Sequence, residues 1–241
     1  MKTAIIIPAR MASKRFPNKP MALINGIPMI QMVWEKAQST SCEDVYVACS
    51  EKIVFDAIIN LGGKAIMTDP NLSSGTDRIY SALKEIQNYN KFESIINLQG
   101  DMPLIDSKDI LKVNDPIING FDIGTLGTNL SSKEESNINI TKVKIDWIKR
   151  MYIGNATDFY KKPKGYLKNI YHHVGIYSYT IDSLSKFVSM KPSSNEIDYK
   201  LEQWRALDAN MSIGVSYVNN VPISVDTKED LIQIENIIKS N

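Results

Sequence analysis

The chain has 241 residues, with 28 Lys and Arg against 27 Asp and Glu, so its net charge is +1. This balance excludes a strongly basic nucleic-acid or membrane-surface binder, and the length suits one large domain or a domain with an embedded subdomain. Only four apolar residues precede Pro8, too few for a signal peptide or a membrane span. Cys42 and Cys49 form no disulfide or metal pattern, so we expect a cytoplasmic protein.

The N-terminal part alternates short β-branched runs with helical periodicity. Strands are predicted at 3–7, 45–48, 65–67 and 94–98, and helices at 28–39, 51–61 and 79–86. In the first helix the predicted inward face carries Ile27, Ile30, Trp34 and Ala37. The β-α-β-α-β-α-β order predicts an α/β fold with a doubly wound, mainly parallel, Rossmann-like sheet.

Residues 122–180 differ from the rest, because strand-like runs dominate there. We interpret them as an inserted segment with antiparallel strands within a single domain that spans 1–241. The segment has more aromatic residues than one sheet needs to cover itself, which predicts that it forms a homodimer interface. The residues in question are Trp147, Tyr152, Phe159 and Tyr160.

The C-terminal part returns to mixed elements. A helix is predicted at 198–207, followed by strands at 213–218 and 222–225. A last helix begins after Thr227, a typical N-cap residue, and its periodicity turns Leu231, Ile234 and Ile238 inward.

A basic loop follows the first strand directly. Prolines 8, 17 and 20 stiffen this loop and reduce the entropy lost when it binds a ligand. Its cationic side chains can converge on several negative charges at once, as a polyphosphate requires. The alternative is an ordinary solvated loop. The four cations are Arg10, Lys14, Arg15 and Lys19.

Ligands of open parallel sheets bind at the carboxyl ends of the strands. Arg10, Asp101 and Asp226 each follow a predicted strand, and the loop 73–78 opens a helix shortly after another. We therefore expect all of them at one sheet edge. Two carboxylates beside a phosphate-binding loop suit Mg²⁺ and predict metal-assisted nucleotidyl transfer. Alternatively, Asp101 caps its own turn and Asp226 caps the last helix.

Three further groups of polar residues have two interpretations each. Backbone N–H groups at Ser74, Gly75 and Thr76 can receive a ligand, or Ser74 is only a helix cap. His173 and Tyr177 share one strand face and either line a sugar-sized cleft or are structural. Glu202 and Gln203 either bind hydroxyl groups or lie on a solvated helix face.

At these residues the sequence resembles the 3-deoxy-manno-octulosonate cytidylyltransferase (CMP-Kdo synthetase) family. The matching motifs occur in the family's order from one end of the chain to the other. They are Ile7-Pro8-Ala9-Arg10, Lys19-Pro20, Gly62-Gly63, Met67-Thr68, Ser74-Gly75-Thr76-Asp77-Arg78, Asn97-Leu98-Gln99-Gly100-Asp101, His173-Val174-Gly175-Ile176-Tyr177, Leu201-Glu202-Gln203 and Val225-Asp226-Thr227-Lys228-Glu229-Asp230.

The resemblance implies a nucleotidyltransferase fold, a homodimer, and a Mg²⁺-dependent reaction of CTP with a 3-deoxy-ulosonic acid, as in lipopolysaccharide biosynthesis. It implies catalytic roles for Arg10, Lys19 and Asp101, and a metal site of Asp101 with Asp226. The other implied contacts are Ala9, Arg10, Lys19, Ser74, Gly75 and Thr76 with the nucleotide, and Arg78, Gln99, His173, Tyr177, Glu202 and Gln203 with the sugar.

One stretch departs from the family pattern. The family usually has Tyr-Phe-Ser-Arg where this chain has Tyr152-Ile153-Gly154-Asn155. Arginine binds a carboxylate through two parallel hydrogen bonds, and asparagine offers only a neutral amide. Either another cation, such as Arg78 or Lys142, compensates, or the acceptor is a different acidic sugar or takes a different pose around this position. We favour the second alternative, because the Ile-Pro pair that follows in the family is missing here too. A nucleotide-binding homologue without catalytic activity is the alternative from another class.

Overall fold

The computed structural model describes residues 1–12, 16–162 and 168–240. Within these residues the chain forms eleven β-strands, which are β1 (Thr3–Ala9), β2 (Leu23–Ile24), β3 (Ile27–Pro28), β4 (Asp44–Cys49), β5 (Lys64–Met67), β6 (Ser94–Asn97), β7 (Ile123–Asn129), β8 (Lys142–Lys149), β9 (Ile153–Tyr160), β10 (Ile170–Tyr179) and β11 (Ile213–Tyr217).

The described residues also form ten α-helices and two short 3-10 helices, Lys19–Met21 and Tyr89–Lys91. The α-helices are α1 (Met29–Gln38), α2 (Lys52–Asn60), α3 (Gly75–Glu85), α4 (Ser107–Lys112), α5 (Asp115–Ile118), α6 (Ser132–Glu135), α7 (Ile181–Ser189), α8 (Ser194–Tyr199), α9 (Gln203–Asp208) and α10 (Lys228–Ser240). None of the helices in the described part of the chain is long and apolar enough to cross a bilayer.

The chain divides into two compact units, one of residues 1–110 with the C-terminal segment from Pro222, the other of residues 111–221. In the first unit the strands lie in the order β5-β4-β1-β6, and every pairing is parallel. Residues 4–7 of β1 are fully buried, as expected of a central parallel strand covered on both faces. The predicted doubly wound, parallel arrangement is confirmed.

The second unit is built mainly from antiparallel pairs. Strands β7 and β8 both pair with β10, β9 pairs with both β8 and β11, and the parallel β7–β11 pair completes a closed series. The strand-rich segment predicted at 122–180 lies within this unit, which also contains α5–α9 and β11.

Three local predictions are wrong. The helix predicted at 198–207 is two helices, α8 and α9, because Lys200 adopts a left-handed conformation (φ 55°) that ends α8. The strand predicted at 222–225 does not form, since Val225 N–H donates instead to the Asp101 carbonyl, at 2.9 Å. Ile27 belongs to β3 and is exposed, so it is not part of the inward face of α1.

The start of α10 is fixed by both packing and capping. Val225 and Ile234 are fully buried in an apolar cluster with Phe16, Ile24 and Met29. Asp230 N–H donates to Thr227 Oγ1 at 3.2 Å, so Thr227 is the predicted cap. Asp226, immediately before it, is therefore held in place without acting as the cap.

We predict that Gly124→Ala destabilises the second unit. A Cβ at Gly124 would overlap the Val113 carbonyl oxygen and Ser178 Oγ, which already share a 2.6 Å hydrogen bond. We expect the free energy of unfolding to fall by about 1–3 kcal/mol, measured by urea titration. Gly175→Ala is the control, because no atom lies within 4 Å of its added Cβ. Equal effects of the two substitutions would contradict the prediction.

Candidate functional site

A cavity of about 500 Å³ opens in the first unit, where β1 and β6 end. It collects residues from the basic loop, the start of α3, the loop after β6 and the segment before α10, as the sheet-edge rule predicted. Its lining residues are Pro8, Ala9, Arg10, Ala12, Lys19, Pro20, Gly75, Arg78, Gln99, Gly100, Asp101 and Asp226.

The Lys19 ammonium lies between the two predicted metal-binding carboxylates. Its Nζ is 2.8 Å from Asp101 Oδ2 and 3.2 Å from Asp226 Oδ1. Burial by itself lowers the pKa of Lys19, but the charges and hydrogen bonds of Asp101 and Asp226 more than offset this effect and raise the pKa. Lys19 is therefore firmly protonated and acts as a cation in this cavity.

The backbone fixes the two carboxylates relative to each other. The Val225–Asp101 hydrogen bond joins the segment that carries Asp226 to the loop that carries Asp101. A Cβ at Gly100 would lie 2.9 Å from the Pro8 carbonyl oxygen, so only glycine lets the Asp101 loop pass this close to β1. Both features position the acids at the end of the sheet.

Arg78 provides a second, buried cation. Its side chain is 1% exposed, and Nη1 donates to Thr68 Oγ1 and to the Asp69 carbonyl. Nη2 is buried and has no hydrogen-bond partner among the described residues. Burial lowers the pKa of Arg78, although a guanidinium remains charged at neutral pH. Arg78 thus presents an unsatisfied donor to a ligand in the cavity.

The helix-start residues fall into two groups. Gly75 lines the cavity, whereas Ser74 and Thr76 are not among its lining residues. Ser74 Oγ accepts a hydrogen bond from Asp77 N–H at 3.1 Å and so caps α3. Gln99 also lines the cavity, and its Nε2 donates to Asn97 Oδ1 at 2.9 Å.

The other predicted sugar contacts lie together in the second unit. His173 Nε2 is 3.0 Å from Thr125 Oγ1, and its ring centroid is 5.6 Å from that of Tyr177. Gln203 Nε2 donates to the Tyr177 hydroxyl, and Gln203 Oε1 is buried with no partner in the described part of the chain. Burial first and the Glu202 charge second raise the pKa of Tyr177. His173, Tyr177 and Gln203 are therefore polar and uncharged, beside the charge of Glu202.

Lys142 is not a spare cation for the missing arginine. It is fully buried, and its Nζ donates to the carbonyls of Asn137 and Lys161. Asn155 lies on β9 and pairs with Gly214 of β11. Of the two compensating cations suggested by the sequence, Arg78 has a buried nitrogen with no hydrogen-bond partner among the described residues, whereas Lys142 Nζ is bonded to two carbonyls. Lys14 and Arg15 lie outside the described residues.

Asp101 and Asp226 suit a divalent cation that takes few protein ligands. The described residues contain no cluster of three or more His, Cys, Asp or Glu side chains that would form a complete protein-only metal site. Magnesium is usually held by one or two carboxylates and completes its shell with water and phosphate oxygens. Two carboxylates that share one ammonium fit that requirement.

The family profile described as Cytidylyltransferase matches residues 4–213 of this chain. The 3-deoxy-manno-octulosonate cytidylyltransferase of Paramagnetospirillum magneticum is 40% identical over 98% of this chain and 97% of its own length. The chain belongs to the 3-deoxy-manno-octulosonate cytidylyltransferase family. The protein of the same name from Rickettsia bellii is 39% identical over 95% of this chain and 92% of its own length.

Solved structures support the same assignment of this cytidylyltransferase. A CMP:2-keto-3-deoxy-manno-octonic acid synthetase complexed with CTP superposes with a TM-score of 0.90 and 32% identity, covering 100% of this chain and 99% of that one. A UDP-glucose pyrophosphorylase complexed with UDP-glucose has a TM-score of 0.71 and 16% identity, covering 100% and 99% respectively. The second likeness shows the shared fold alone.

Glu51 of this cytidylyltransferase contacts the loop after β1, although the sequence predicts it only as the start of a helix. Its Oε2 accepts hydrogen bonds from Met11 N–H at 3.1 Å and from Ser50 Oγ at 2.9 Å. Its place after β4 could have indicated a position near the cavity, because the rule that ligands bind at the carboxyl ends of the strands applies to β4 as well. The sequence does not indicate this contact, since the partner, Met11, is distant along the chain.

We predict that His173 makes the stability of this cytidylyltransferase depend on pH. Burial lowers the pKa of His173 from 6.5 to about 3. Its unfolded form therefore binds a proton as the pH falls below 6.5, while the folded form does not until about pH 3, so stability is lost across this range. Between pH 7 and pH 5 we expect His173 to account for about 2 kcal/mol of lost stability.

Urea unfolding at both pH values tests this prediction. His173→Gln should flatten the pH dependence, because glutamine does not titrate, whereas the control His172→Gln should change it less. A wild-type protein whose stability is the same at pH 7 and pH 5 would show that His173 is not held neutral.

Proposed function

We propose that this protein transfers the cytidylyl group of CTP to 3-deoxy-manno-octulosonate, giving the CMP-sugar and pyrophosphate. The observation that carries the proposal is the cavity with Lys19 between Asp101 and Asp226, in a chain that superposes over its full length on a synthetase complexed with CTP. Membership of the family supports the same substrates.

In the proposed reaction the anomeric 2-hydroxyl of the sugar attacks the α-phosphorus of CTP in line with the departing pyrophosphate. The new bond joins this oxygen to the α-phosphorus, and the bond between the α-phosphorus and the α,β-bridging oxygen breaks. The bridging oxygen leaves with the pyrophosphate, and the hydroxyl proton passes to solvent. Arg10 and Lys19 would neutralise charge on the triphosphate and the leaving group. Ala9 and Gly75, which line the same cavity, would contact the nucleotide through their backbones. Ser74 and Thr76 would contact the nucleotide through the backbone N–H groups at the start of α3.

Asp101 and Asp226 would hold Mg²⁺. Bound there, a divalent cation supplies charge stabilisation and orients the phosphates. The support from this chain is the pair of carboxylates within 3.2 Å of one ammonium, which marks a position that attracts positive charge. The two carboxylates would then share their negative charge between the cation and Lys19.

We propose that Arg78 and Gln99, which line the cavity of the first unit, contact the sugar. His173, Tyr177, Glu202 and Gln203 are the further sugar contacts that membership of the family implies. Arg78 has a buried donor to spare for the sugar carboxylate, which would compensate for Asn155. The neutral cluster around Tyr177 offers hydroxyl and amide groups, which suit sugar hydroxyls. This assignment favours 3-deoxy-manno-octulosonate over a different acidic sugar.

We further propose that the protein is a homodimer that acts in the cytoplasm and supplies lipopolysaccharide biosynthesis. Exposed apolar side chains at the β8–β9 hairpin support an interface there; Ile148 is 70% and Tyr152 39% exposed. A paired copy would cover this surface. Phe159 and Tyr160, two of the aromatic residues from which the sequence predicts the interface, are buried within this chain and do not support it.

We predict that pyrophosphate release requires CTP, the sugar and a divalent cation together. Rates should be compared across CTP, UTP, ATP and GTP with 3-deoxy-manno-octulosonate and Mg²⁺, using a coupled pyrophosphate assay. We expect CTP to be strongly preferred and chelation to abolish turnover. Equal rates with ATP or GTP would contradict the proposed activity. Turnover after complete chelation would contradict the proposed requirement for a divalent cation.

We predict that Asp226→Asn lowers kcat by about two orders of magnitude, the usual effect of removing one electrostatic contact to a transition state. Thermal stability should change little, because Thr227 rather than Asp226 caps α10. Asp56→Asn is the matched control, since Asp56 also pairs with a lysine, Lys52, at 2.6 Å but lies outside the cavity. Near-normal turnover in Asp226→Asn would remove Asp226 from the proposed metal site.

A further inference from the structure

Glu51 lies at the N-terminus of α2 but does not cap that helix with its side chain. An acidic side chain at this position commonly accepts hydrogen bonds from the first turn of its own helix. Here the carboxylate is directed to another segment instead, and Oε2 accepts Met11 N–H at 3.1 Å. Ser50 Oγ donates to the same oxygen at 2.9 Å. The carboxylate therefore serves the loop after β1.

Met11 is the point at which that loop closes. While its N–H is bonded to Glu51, its carbonyl accepts a hydrogen bond from Asn18 N–H at 3.1 Å. We call Met11 and Asn18 the loop neck. The two residues next to the loop neck on its outer sides are Arg10 and Lys19, both of which line the cavity.

The Asn18 side of the loop neck is itself rigid. Asn18 adopts a left-handed conformation (φ 61°), and its carbonyl accepts Met21 N–H at 3.0 Å, which starts the 3-10 turn Lys19–Met21. Phe16 is buried in the apolar cluster beside Met29. The position of Met11 is thus transmitted through fixed backbone to Lys19.

Glu51 also acts electrostatically on Arg78, the buried cation of the cavity. Its negative charge acts on Arg78 and opposes the lowering of the Arg78 pKa by burial. The Glu51 carboxylate therefore has a hydrogen bond to the loop neck and an electrostatic interaction with the Arg78 guanidinium on α3. Glu51 is not itself part of the cavity lining.

We propose that Glu51 is a positioning residue for the nucleotide site: by binding Met11 N–H it fixes the loop neck and so sets the positions of Arg10 and Lys19. The inference rests on the proposed function in taking a nucleoside triphosphate as the ligand. Glu51 acts through the loop neck and does not touch the ligand. It should therefore govern nucleotide binding more than the chemical step.

Two substitutions of Glu51 separate the hydrogen bond from the charge. Glu51→Ala removes the acceptor, and we expect the KM for CTP to rise about tenfold, the cost of one hydrogen bond to a charged group, with kcat within about threefold of wild type. Glu51→Gln keeps an oxygen that can accept Met11 N–H, so we expect it to restore the KM to within about threefold of wild type.

Hydrogen exchange of the Met11 amide, measured by NMR, reports directly on its hydrogen bond to Glu51. Exchange should be faster in Glu51→Ala and close to wild type in Glu51→Gln. Glu235→Ala is the matched control, because Glu235 Oε1 also accepts a backbone N–H, that of Asn25 at 3.0 Å, outside the cavity. It should alter neither the KM for CTP nor the exchange of Met11.

A normal KM for CTP in Glu51→Ala would overturn the inference, as would equal impairment of the alanine and glutamine variants, which would assign the effect to charge. If the wild type uses a different nucleoside triphosphate, the proposed cytidylyl transfer is wrong. The same comparison is then made with that nucleotide, because Glu51 acts on the loop and not on the base.

Discussion

The ammonium of Lys19, shared by Asp101 and Asp226, is the interaction on which the first unit's cavity depends. The three charges come from a 3-10 turn, a loop after β6 and the segment before α10, so none of these segments can shift without separating them. Asp226 is the most exposed of the three groups, so its loss would still leave Lys19 paired with Asp101. Gly100, the Val225–Asp101 hydrogen bond and the Thr227 cap all serve to bring these charges together.

The two units use different chemistry for their polar groups. In the first unit the groups are ionic and lie at the end of parallel strands, where backbone geometry directs them to one edge. In the second unit the groups around Tyr177 are neutral: His173 bonds to Thr125, and Gln203 bonds to Tyr177, beside aromatic rings. A neutral network avoids the large desolvation cost of a buried charge while retaining directional hydrogen bonds. The charged cavity suits phosphates, and the neutral network suits hydroxyl groups.

The sequence predicts the features that follow from local pattern. Alternating elements predict the parallel sheet, and the sheet-edge rule brings Arg10, Asp101 and Asp226 to one cavity even though residues 222–225 form no strand. The rule still succeeds there because Val225 is bonded to the Asp101 loop, so the extended chain ends at the same edge.

What the sequence does not predict depends on partners distant along the chain. The helical periodicity of the sequence continues through Lys200. In the structure, however, Lys200 is left-handed and ends α8, whose start is capped by Ser193. Glu51 resembles any helix-start acid until Met11 is seen beside it. Lys19 is predicted as a phosphate ligand from its motif, but no pattern indicates that two acids would hold its ammonium.

The first unit is discontinuous, since the chain leaves it after residue 110 and re-enters it at Pro222. This connectivity has a consequence for biosynthesis. A nascent chain on the ribosome can form β1–β6 early, but Val225, Asp226 and α10 emerge only after the entire second unit has been translated. Until then the apolar cluster around Met29 lacks Val225 and Ile234, and Lys19 has only one of its two acids. The cavity is therefore among the last parts of the molecule to be completed, and a chain shortened by its final helix would lack the packing of Ile234 in the cluster with Met29.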